Sequence, residues 1–553
     1  MTYKSLAVHL IASAGMAIIL SSCGNAHGTN SEAVFSDFSY KVILPEGSDS
    51  AQTEASPLLH GCYPDPSIVR VGDDYYMVNS SFAYFPGVPI WHSTDLRSWE
   101  HLGYVLSRRE QLSLPDSLRI SGGIYAPDIA YNPHNRLFYM ITTLVDNGGN
   151  FYVTCTDPRK GDWSDPVWLP EVGGIDPSLL FDTDGKAYIV NNDSPEGSPL
   201  YEGHRAIHLH EFDWERGCVT GKSKVIVNGG VDITEKPVWI EGPHLYHIGD
   251  KYFLMCAEGG TGPDHREVIF ESGSPKGPFR PCAINPILTQ KDLDPARPNP
   301  VTCAGHADLV EDTDGQWWSV FLAVRPYADG HDVMGRETYL HPVTWHNGQP
   351  VITEPGEILT PHPATETHSN LWASDTLAND AFFIRNGSDV TWSITPAGDL
   401  QLKSSPVKLA DKRTPSAIGR WVTENAFVLT TTLDSFTPES EEDLAGLFLF
   451  QDDGCNITFG KSADTAGSPC VKVTASCKGE IVSETSAPLS SASGPLTLRI
   501  TADGDGFYHF DTSTDGNSFS TVGKPISADI LSTRTAGNFT GTVMGLYVTA
   551  SGK

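Results

Sequence analysis

A hairpin pattern that returns five times along the chain restricts the fold more than any other feature. Its first copy joins a strand that starts at Pro66, a polar turn at Gly72-Asp73 and a second strand that carries Tyr75 and Tyr76. The other copies begin at Pro127, Pro177, Pro243 and Ala307. Successive starts lie 61, 50, 66 and 64 residues apart, so each interval has room for a four-stranded antiparallel sheet and its loops.

Five repeats of this size predict a five-bladed β-propeller over residues 58–362. Long helical periodicity is absent, and alternating runs bounded by Gly, Asp, Asn and Pro are typical of β proteins. Closing five sheets into a ring leaves few exposed edge strands, which favours this arrangement. A β-sandwich that contains a recurring hairpin is the alternative.

A second domain is predicted over residues 369–553, because the repeat stops after residue 362 and 553 residues exceed what one core usually organises. Short strand-like runs such as 426–431 and 496–500 alternate there with Gly/Asp turns. This pattern favours a jelly-roll β-sandwich. The fold class is therefore all-β, and for the second domain sugar binding and a purely structural role both stay open.

The N-terminus carries an export signal. The apolar run Leu6–Leu20 is too short for a transmembrane helix but suits the core of a signal peptide. It ends in Leu20-Ser21-Ser22-Cys23-Gly24, which resembles a bacterial lipobox. We therefore expect a lipoprotein signal peptide over residues 1–22, lipidation of Cys23 and a flexible tether over residues 23–57. An ordinary signal peptide with a chance Cys is the alternative.

Charge narrows the choice of partners. The chain has 37 Lys and Arg against 68 Asp and Glu, and its formal net charge is -31. Such a surface repels nucleic acid and anionic lipid, so no nucleic-acid partner is expected and membrane contact is expected only through the lipid anchor. Together with the signal-peptide core and the lipobox-like segment, this predicts an exported bacterial lipoprotein that is membrane-anchored in the periplasm or at the cell surface. A neutral glycan is compatible with this charge.

The cysteines do not form a metal or redox motif. Nine remain besides Cys23, so they cannot all pair within the chain, and no CxxC spacing occurs. Several, such as Cys256, lie in apolar strand-like runs, so we expect most of them to be buried apolar side chains. A disulfide between Cys470 and Cys477 stays open, and no metal site is predicted.

The propeller hypothesis brings four chemically active residues together. The first strand of each blade lies nearest the axis, so residues at the heads of the repeats converge on one face. Asp65, Asp176 and His306 each directly precede the first residue of a repeat, and Glu241 stands two positions before one. Clustered carboxylates without a phosphate motif fit glycoside hydrolysis, in which one carboxylic acid protonates the leaving oxygen and another carboxylate activates water.

Five motifs in order resemble those of glycoside hydrolase family 43. They are Tyr63-Pro64-Asp65-Pro66-Ser67, Gly174-Ile175-Asp176-Pro177-Ser178, Glu241-Gly242-Pro243-His244, Gly305-His306-Ala307-Asp308 and Gly335-Arg336-Glu337-Thr338. The C-terminal part resembles the sandwich domain that accompanies this family's β-xylosidases and arabinofuranosidases. The resemblance implies an inverting exo-glycosidase that releases terminal α-L-arabinofuranose and/or β-D-xylose from plant hemicellulose oligosaccharides.

The resemblance also implies roles for individual residues. Asp65 would be the general base and Glu241 the general acid. Asp176 would orient the acid and raise its pKa by like charge. It implies no required cofactor, although it allows a structural calcium near His306.

Five residues are expected to bind the terminal sugar. By motif match His306 and Arg336 line its subsite, and Phe82 occupies an aromatic position of the family's xylosidases. Tyr125 stands where those enzymes usually have Trp. Phe539 lies in Asn538-Phe539-Thr540-Gly541, which resembles a sandwich loop that reaches the active-site mouth.

Three alternatives remain at this stage. Ser93-Thr94-Asp95-Leu96-Arg97-Ser98-Trp99 is close to an Asp-box and suggests a sialidase-like propeller, although the box lacks its Gly. A non-catalytic glycan-binding lipoprotein would need neither an acid nor a base. Glu258 is a rival proton donor to Glu241, although it follows its strand on the side away from the axis.

Overall fold

The computed structural model describes residues 32–44, 57–327, 330–365, 367–489, 491 and 493–551. The predicted signal peptide, Cys23 and the remaining parts of the predicted tether lie outside these ranges. Within them the protein is all-β, with one α-helix, α1 (Thr533–Ala536), and short 3-10 turns. No helix in the described ranges is long and apolar enough to cross a membrane.

The strands run as follows. Strand β1 spans Glu32–Val42. The strands up to residue 351 are β2 (Pro57–Leu59), β3 (Ser67–Val71), β4 (Asp74–Val78), β5 (Tyr84–Phe85), β6 (Gly87–Ser93), β7 (Glu100–Leu106), β8 (Gly123–Ile124), β9 (Asp128–Asn132), β10 (Leu137–Val145), β11 (Gly149–Cys155), β12 (Val167–Trp168), β13 (Ile175–Phe181), β14 (Ala187–Asp193), β15 (Ala206–Asp213), β16 (Cys218–Asn228), β17 (Ile240–Ile248), β18 (Lys251–Glu258), β19 (Arg266–Ser272), β20 (Arg280–Pro281), β21 (Leu288–Thr289), β22 (Thr302–Glu311), β23 (Trp317–Val324), β24 (Arg336–Pro342), β25 (Thr344–His346) and β26 (Gln349–Val351). The C-terminal strands are β27 (Thr367–Ser369), β28 (Phe383–Ile384), β29 (Trp392–Ile394), β30 (Leu400–Lys403), β31 (Ala417–Trp421), β32 (Ala426–Ser435), β33 (Leu444–Asp452), β34 (Cys455–Ala463), β35 (Pro469–Cys477), β36 (Glu480–Pro488), β37 (Leu496–Asp503), β38 (Phe507–Ser513), β39 (Ser520–Thr521), β40 (Ile526–Ser527) and β41 (Val543–Thr549).

Five antiparallel sheets, numbered 1 to 5 here, follow one another along the N-terminal domain. Their strand orders are β3-β4-β6-β7, β12-β11-β10-β8 with β9 on β10, β13-β14-β15-β16, β17-β18-β19-β20 with β21 on β19, and β2-β24-β23-β22. Each predicted hairpin is present, as β3-β4, β9-β10, β13-β14, β17-β18 and β22-β23. The hairpin prediction is therefore confirmed.

The first strands of the hairpins contact one another in ring order. Strand β3 contacts β9, β9 contacts β13, β13 contacts β17, β17 contacts β22, and β22 contacts β3. Sheet 5 takes its outermost strand, β2, from the N-terminal end of the domain, where Leu59 pairs with Thr338. This pairing joins the beginning of the domain to its last sheet.

Apolar side chains fill the spaces between neighbouring sheets. Tyr139 and Ile141 of sheet 2 share one buried cluster with Leu179 and Ile189 of sheet 3. Burial of each such side chain contributes about 1.5 to 3 kcal/mol. Because both faces of an inner strand are covered, Ala187 to Asn192 are all buried, and this stretch of β14 does not alternate in exposure as a half-exposed strand would.

The C-terminal domain is a two-sheet sandwich. One sheet has the order β29-β30-β1-β32-β37-β38-β39, with β27 on β1 and β40 on β38, and the other has the order β31-β41-β33-β34-β35-β36. Strand β32 alternates in burial, and its inward Phe427 and Leu429 belong to the same core as Leu447 and Phe459 of the second sheet. This arrangement agrees with the predicted sandwich.

The tether prediction was wrong over residues 32–42. This segment is β1, which lies between β30 and β32 at the centre of the sandwich sheet and buries Phe35, Phe38 and Tyr40 completely or almost so. Its pairing with β32 shifts register between Phe35 and Asp37. The β-bulge brings Phe35 and Phe38 to one face although they are three residues apart, so the sequence lacks the simple alternation of a strand.

Buried arginines hold the two domains together. The Arg325 guanidinium donates to Glu337 of the N-terminal domain (Nε to Oε2, 2.5 Å) and to Glu424 of the sandwich (Nη1 to Oε1, 2.8 Å). Arg385 of the sandwich is fully buried and donates to the carbonyl oxygen of Leu118 at 2.9 Å. Removing one partner of a buried ion pair leaves an uncompensated charge, so these contacts resist movement of the sandwich relative to the sheets.

The nine cysteines of the described ranges are all free. Cys256 is fully buried, as predicted. Cys470 and Cys477, for which a disulfide was left open, are not bonded to each other.

Candidate active site

The heads of four inner strands share an unusual backbone conformation. Asp65, Asp176, Gly242 and His306 each directly precede the first residue of a repeat, and their φ angles are 54°, 54°, 53° and 53°. Residues other than Gly rarely adopt this left-handed region, and such strain concentrates at functional sites. The pairing register also shifts next to Asp176, Gly242 and His306. These bulges turn the side chains toward the ring axis.

Sheet 4 supplies its carboxylate from a different position for a steric reason. A Cβ atom on Gly242 would lie 2.6 Å from Nε2 of His306, so no side chain fits at the position that bears Asp65 and Asp176 in the other sheets. Glu241, one residue earlier and with a longer side chain, takes that place. The offset seen in the sequence therefore has a packing cause.

Asp65 is buried and surrounded by donors. Arg336 Nη1 donates to its Oδ1 at 2.9 Å, and Ser80 Oγ donates to its Oδ2 at 2.6 Å. His306 Nδ1 lies 3.4 Å from Oδ1. Burial is the largest single influence and would raise the pKa of Asp65, but Arg336, His306 and the hydrogen bond from Ser80 together outweigh it, and the pKa is lowered. Asp65 is therefore ionised at neutral pH.

Glu241 has the opposite character. Its carboxyl group is buried and makes no hydrogen bond or ion pair with any described residue. Burial first, and then the nearby charges of Asp176 and Asp65, raise its pKa well above the usual value. The pKa of Asp176 is raised by burial and by Asp65, although the backbone N–H of Gly242 donates to it at 3.2 Å. These shifts favour the protonated form of Glu241 beside an ionised Asp65.

An aromatic group closes one side of the site. Phe82, Tyr125 and Phe539 pack edge to face, with ring centroids 6.1, 5.7 and 6.1 Å apart. The Arg336 guanidinium carbon lies 5.7 Å from the Phe82 ring centroid and 5.1 Å from that of Phe539. Arg336 Nε also donates to the Phe539 carbonyl oxygen at 3.4 Å. The sandwich domain therefore contributes directly to the site.

One cavity of about 320 Å³ brings together all eight predicted residues of the catalytic and sugar-binding sets. They are Asp65, Asp176, Glu241, Phe82, Tyr125, His306, Arg336 and Phe539. Burial lowers the pKa of His306 to about 4, so its imidazole is neutral near pH 7. Glu258 does not line this cavity, because its carboxylate pairs with Arg266 and accepts from the backbone N–H of Val231 at 2.9 Å. The rival donor therefore lies outside the cluster.

Comparison with known proteins identifies the family. The family model described as Glycosyl hydrolases family 43 matches residues 55–350, which is more than half of the chain. The chain belongs to glycoside hydrolase family 43. A second family model, described as Beta xylosidase C-terminal Concanavalin A-like domain, matches residues 372–553 of this family 43 member.

Relatives of this family 43 chain match it over nearly its whole length. The non-reducing end alpha-L-arabinofuranosidase BoGH43B of Bacteroides ovatus is 37% identical over 519 residues, which cover 91% of this chain and 92% of the relative. A xylosidase/arabinosidase of Butyrivibrio fibrisolvens is 36% identical over 515 residues, which cover 90% and 96%. The crystal structure of a GH43_12 protein retrieved from capybara gut metagenome superposes with a TM-score of 0.84 at 39% identity and covers 94% of this chain and 100% of its own.

These matches decide between the classes of function. The family 43 chain is an exo-acting glycoside hydrolase. The glycan-binding and sialidase-like alternatives are therefore wrong. The structure agrees, since the cavity pairs a carboxyl group of lowered pKa, that of Asp65, with one of raised pKa, that of Glu241, an arrangement that binding alone does not require.

Several cavity residues of the family 43 chain were missed in the sequence. They are Arg119, Asp146, Asn192, Arg205, Trp239 and Thr261. Arg119 Nε donates to Asp146 Oδ2 at 2.8 Å, and its Nη2 donates to the hydroxyl of Tyr125 at 3.2 Å. Asn192 lies near the end of β14, and the other five come from connections between strands, whose lengths do not repeat. A tryptophan two residues before Glu241, Trp239, was the signal that the sequence offered.

The structural calcium allowed near His306 stays a prediction. Calcium binds six to eight oxygen atoms, and Oδ1 of Asp65, which lies 3.4 Å from Nδ1 of His306, already accepts a hydrogen bond from Arg336. Among the described residues, only Asp128, His244 and Asp308 bring three potential ligand atoms within 4.8 Å of one another. The carboxylates of Asp128 and Asp308 already accept hydrogen bonds from Ser67 Oγ, the Tyr246 hydroxyl and the backbone N–H groups of Ile68 and Leu179.

Proposed function

We propose that this enzyme releases terminal α-L-arabinofuranose and/or β-D-xylose from plant hemicellulose oligosaccharides. The two relatives described above bear the names of an arabinofuranosidase and of a xylosidase/arabinosidase, which supports these two sugars. A cavity of about 320 Å³ lies at the small end of ligand pockets and suits one terminal sugar. The observation that carries the proposal is the buried, unpaired carboxyl group of Glu241 in one cavity with Asp65, whose carboxylate accepts from Arg336 and Ser80.

The five sheets of the N-terminal domain are assigned as the five blades of a β-propeller. The ring of contacts among β3, β9, β13, β17 and β22 supports this assignment. The pairing of β2 with β24 supports it further, because an outer strand from the N-terminal end is a means of fixing the last blade to the first. The C-terminal domain is assigned as a jelly-roll sandwich.

The reaction is assigned as a single displacement. Water attacks the anomeric carbon while Asp65 accepts a proton from that water, and Glu241 gives its proton to the leaving oxygen as the glycosidic bond breaks. Asp176 acts through its charge and its position, because it helps to keep Glu241 protonated. After product release, Asp65 returns its proton to solvent and Glu241 takes one up.

Arg336 and His306 are assigned to the hydroxyl groups of the terminal sugar. Arg336 already holds Asp65 in place, and its remaining N–H groups are rigid donors on a planar fork. The rings of Phe82, Tyr125 and Phe539 exclude water from this side of the sugar.

An assay on two aryl glycosides tests the proposal. Purified enzyme is expected to hydrolyse an aryl α-L-arabinofuranoside, an aryl β-D-xyloside or both. The control is an aryl β-D-glucoside, whose extra hydroxymethyl group does not suit a pocket shaped for a pentose. Absence of hydrolysis of both pentosides would contradict the proposal.

Inversion of the anomeric centre is the stereochemical prediction. It requires the carboxyl groups of Asp65 and Glu241 to lie roughly 6.5 to 9.5 Å apart, which leaves room for the attacking water. NMR spectra recorded in the first minutes of hydrolysis are expected to show the opposite anomer from that of the substrate. A product with the retained anomer would mean that one of the two carboxylates is a nucleophile.

Metal chelation is expected to leave activity unchanged, because carboxylates fill both the acid and the base roles. Activity is measured before and after dialysis against EDTA, with thermal unfolding recorded on the same samples. A loss restored by zinc would contradict the proposed chemistry. A loss restored by calcium, together with a lower unfolding temperature, would indicate a structural calcium.

The enzyme is also proposed to be an exported lipoprotein anchored through Cys23. The lipobox-like Leu20-Ser21-Ser22-Cys23-Gly24 supports this. Because β1 begins at Glu32, eight residues separate the anchor from the sandwich, and they can span at most about 29 Å. The sandwich would therefore lie near the membrane surface.

Replacing Cys23 with Ala is expected to move the enzyme from the membrane fraction to the soluble fraction without changing the activity of the purified protein. The measurement is incorporation of labelled palmitate together with fractionation of cells. Equal incorporation by wild type and variant would contradict lipidation at Cys23.

A further inference from the structure

One cation in the active-site cavity has no counter-ion. The guanidinium group of Arg205 lines the cavity beside Glu241, is half-buried and makes no hydrogen bond or ion pair with any described residue. Its positive charge still reaches Glu241 and opposes the rise of the Glu241 pKa. A planar group with five donors in a half-buried position is suited to bind a ligand.

The other arginines of the cavity are already paired. Arg336 donates to Asp65, and Arg119 donates to Asp146. Each pair brings a positive and a negative charge together. Arg205 is thus the cavity arginine whose charge remains free for a substrate.

Arg205 lies on the side of the cavity where the leaving group must be. It comes from sheet 3 and directly precedes β15, whereas Phe82, Tyr125 and Phe539 come from sheets 1 and 2 and the sandwich. Glu241 protonates the leaving oxygen, so the departing sugar lies near Glu241 and the residues beside it.

Trp239 provides an exposed ring on the same side. Trp239, two residues before Glu241, lines the cavity and is 41% exposed. Its φ angle of 41° is rare for a bulky residue. Its backbone N–H donates at 3.1 Å to the carbonyl oxygen of Gly203, two residues before Arg205. The two loops are therefore held side by side, with an aromatic surface next to a free cation.

We infer that Arg205 and Trp239 form the subsite for the leaving-group sugar and that Arg205 there binds the carboxylate of an acidic sugar, a uronic acid. This rests on the proposed function, because it uses Glu241 as the proton donor to define the leaving side. The planar fork of an arginine matches a carboxylate with two parallel hydrogen bonds. Neutral hydroxyl groups would leave the charge of Arg205 uncompensated. Because the net charge of -31 repels acidic glycans at long range, an acidic substrate needs such a local cation.

A matched pair of substrates tests this inference. One oligosaccharide carries the terminal pentose on a uronic acid, and the other is the same compound after reduction of the carboxyl group to a hydroxymethyl group. Wild type is expected to show a kcat/KM about tenfold or more higher for the acidic member, as a charged hydrogen bond would give. In Arg205→Gln the ratio is expected to fall close to one. Arg205→Lys is expected to keep part of the preference for the acidic compound, because lysine retains the positive charge but not the planar pair of donors.

Arg216→Gln is the matched control. Arg216 is exposed between β15 and β16 of the same sheet, so the variant makes the same charge change away from the cavity and is expected to keep the wild-type ratio. Calorimetric binding of both compounds to Glu241→Gln protein measures the same preference without turnover. Equal kcat/KM values for the two compounds with wild type, or an unchanged ratio in Arg205→Gln, would overturn this inference and leave the proposed function standing. Failure to hydrolyse the aryl pentosides as well would overturn the proposed function with it.

Discussion

Replacing Asp65 with Asn is expected to abolish hydrolysis of every substrate, with a loss on the order of 10² to 10⁴ in kcat. The amide cannot accept the proton of the attacking water, and water attack is required whatever group leaves. Both an aryl pentoside and a natural oligosaccharide should therefore lose activity to the same extent. The measurement is kcat and kcat/KM for the two substrates in parallel.

Asp73→Asn is the control for this variant. Asp73 is exposed in the turn between β3 and β4 of the same sheet, and its substitution is expected to leave activity unchanged. Thermal unfolding must accompany the assay, because Asp65→Asn leaves the buried Arg336 without its counter-charge. A folded Asp65→Asn enzyme that retained activity on the aryl pentoside would remove Asp65 from the role of base.

Replacing Glu241 with Gln is expected to give a loss that depends on the leaving group. Natural oligosaccharides have poor leaving groups that need a proton in the transition state, so their hydrolysis should fall by about 10² to 10⁴. An aryl pentoside releases a phenolate that departs without help, so much of its activity should remain. The measurement is kcat/KM across aryl pentosides of decreasing phenol acidity, with an oligosaccharide at the end of the series.

Glu258→Gln is the comparison that decides between the two candidate donors. Glu258 pairs with Arg266 outside the cavity, so any loss in this variant should be equal for both kinds of substrate. A leaving-group dependence in Glu258→Gln, or its absence in Glu241→Gln, would require Glu241 to be withdrawn as the acid.

The pKa shifts also assign the two limbs of the pH profile. The lowered pKa of Asp65 means that the base is lost only as pH falls through a value below the usual range. The raised pKa of Glu241 means that the proton donor is lost as pH rises through a value well above the usual range. In Glu241→Gln the alkaline limb should therefore disappear for aryl pentosides, while the acid limb remains.

The repeat predicted the positions that are constrained by strand geometry. Asp65, Asp176 and His306 each directly precede the first residue of a repeat and share one backbone conformation. Their spacing alone was therefore enough to predict that they meet at one axis. Glu241 is displaced by one residue because Gly242 faces His306. The sequence contained this offset but not its cause.

Loop residues could not be placed in the same way. Arg119, Asp146, Arg205 and Trp239 reach the cavity from connections that do not repeat in length or composition. A position in such a loop does not indicate where its side chain will lie, because the path of the loop depends on contacts with neighbouring sheets. Phe539 was found only because its motif resembles that of relatives.

Strand β1 was missed because its partners are remote and its pattern is broken by a bulge. The backbone N–H of Thr432 donates a hydrogen bond to the Asp37 carboxylate, 395 positions earlier in the chain. Local patterning carries no signal for a pairing at that distance, and a polar segment after a predicted export signal has the composition of a linker.

The position of β1 also sets the order in which the molecule can be completed. This strand is synthesised before the five sheets of the N-terminal domain, yet β30 and β32, which flank it, are made only after those sheets. Until they emerge, β1 is a strand with unpaired edges and an apolar face, features that favour aggregation. Pairing across such a distance is slow. The N-terminal segment must therefore be kept from associating until the chain has been made as far as Ser435, where β32 ends.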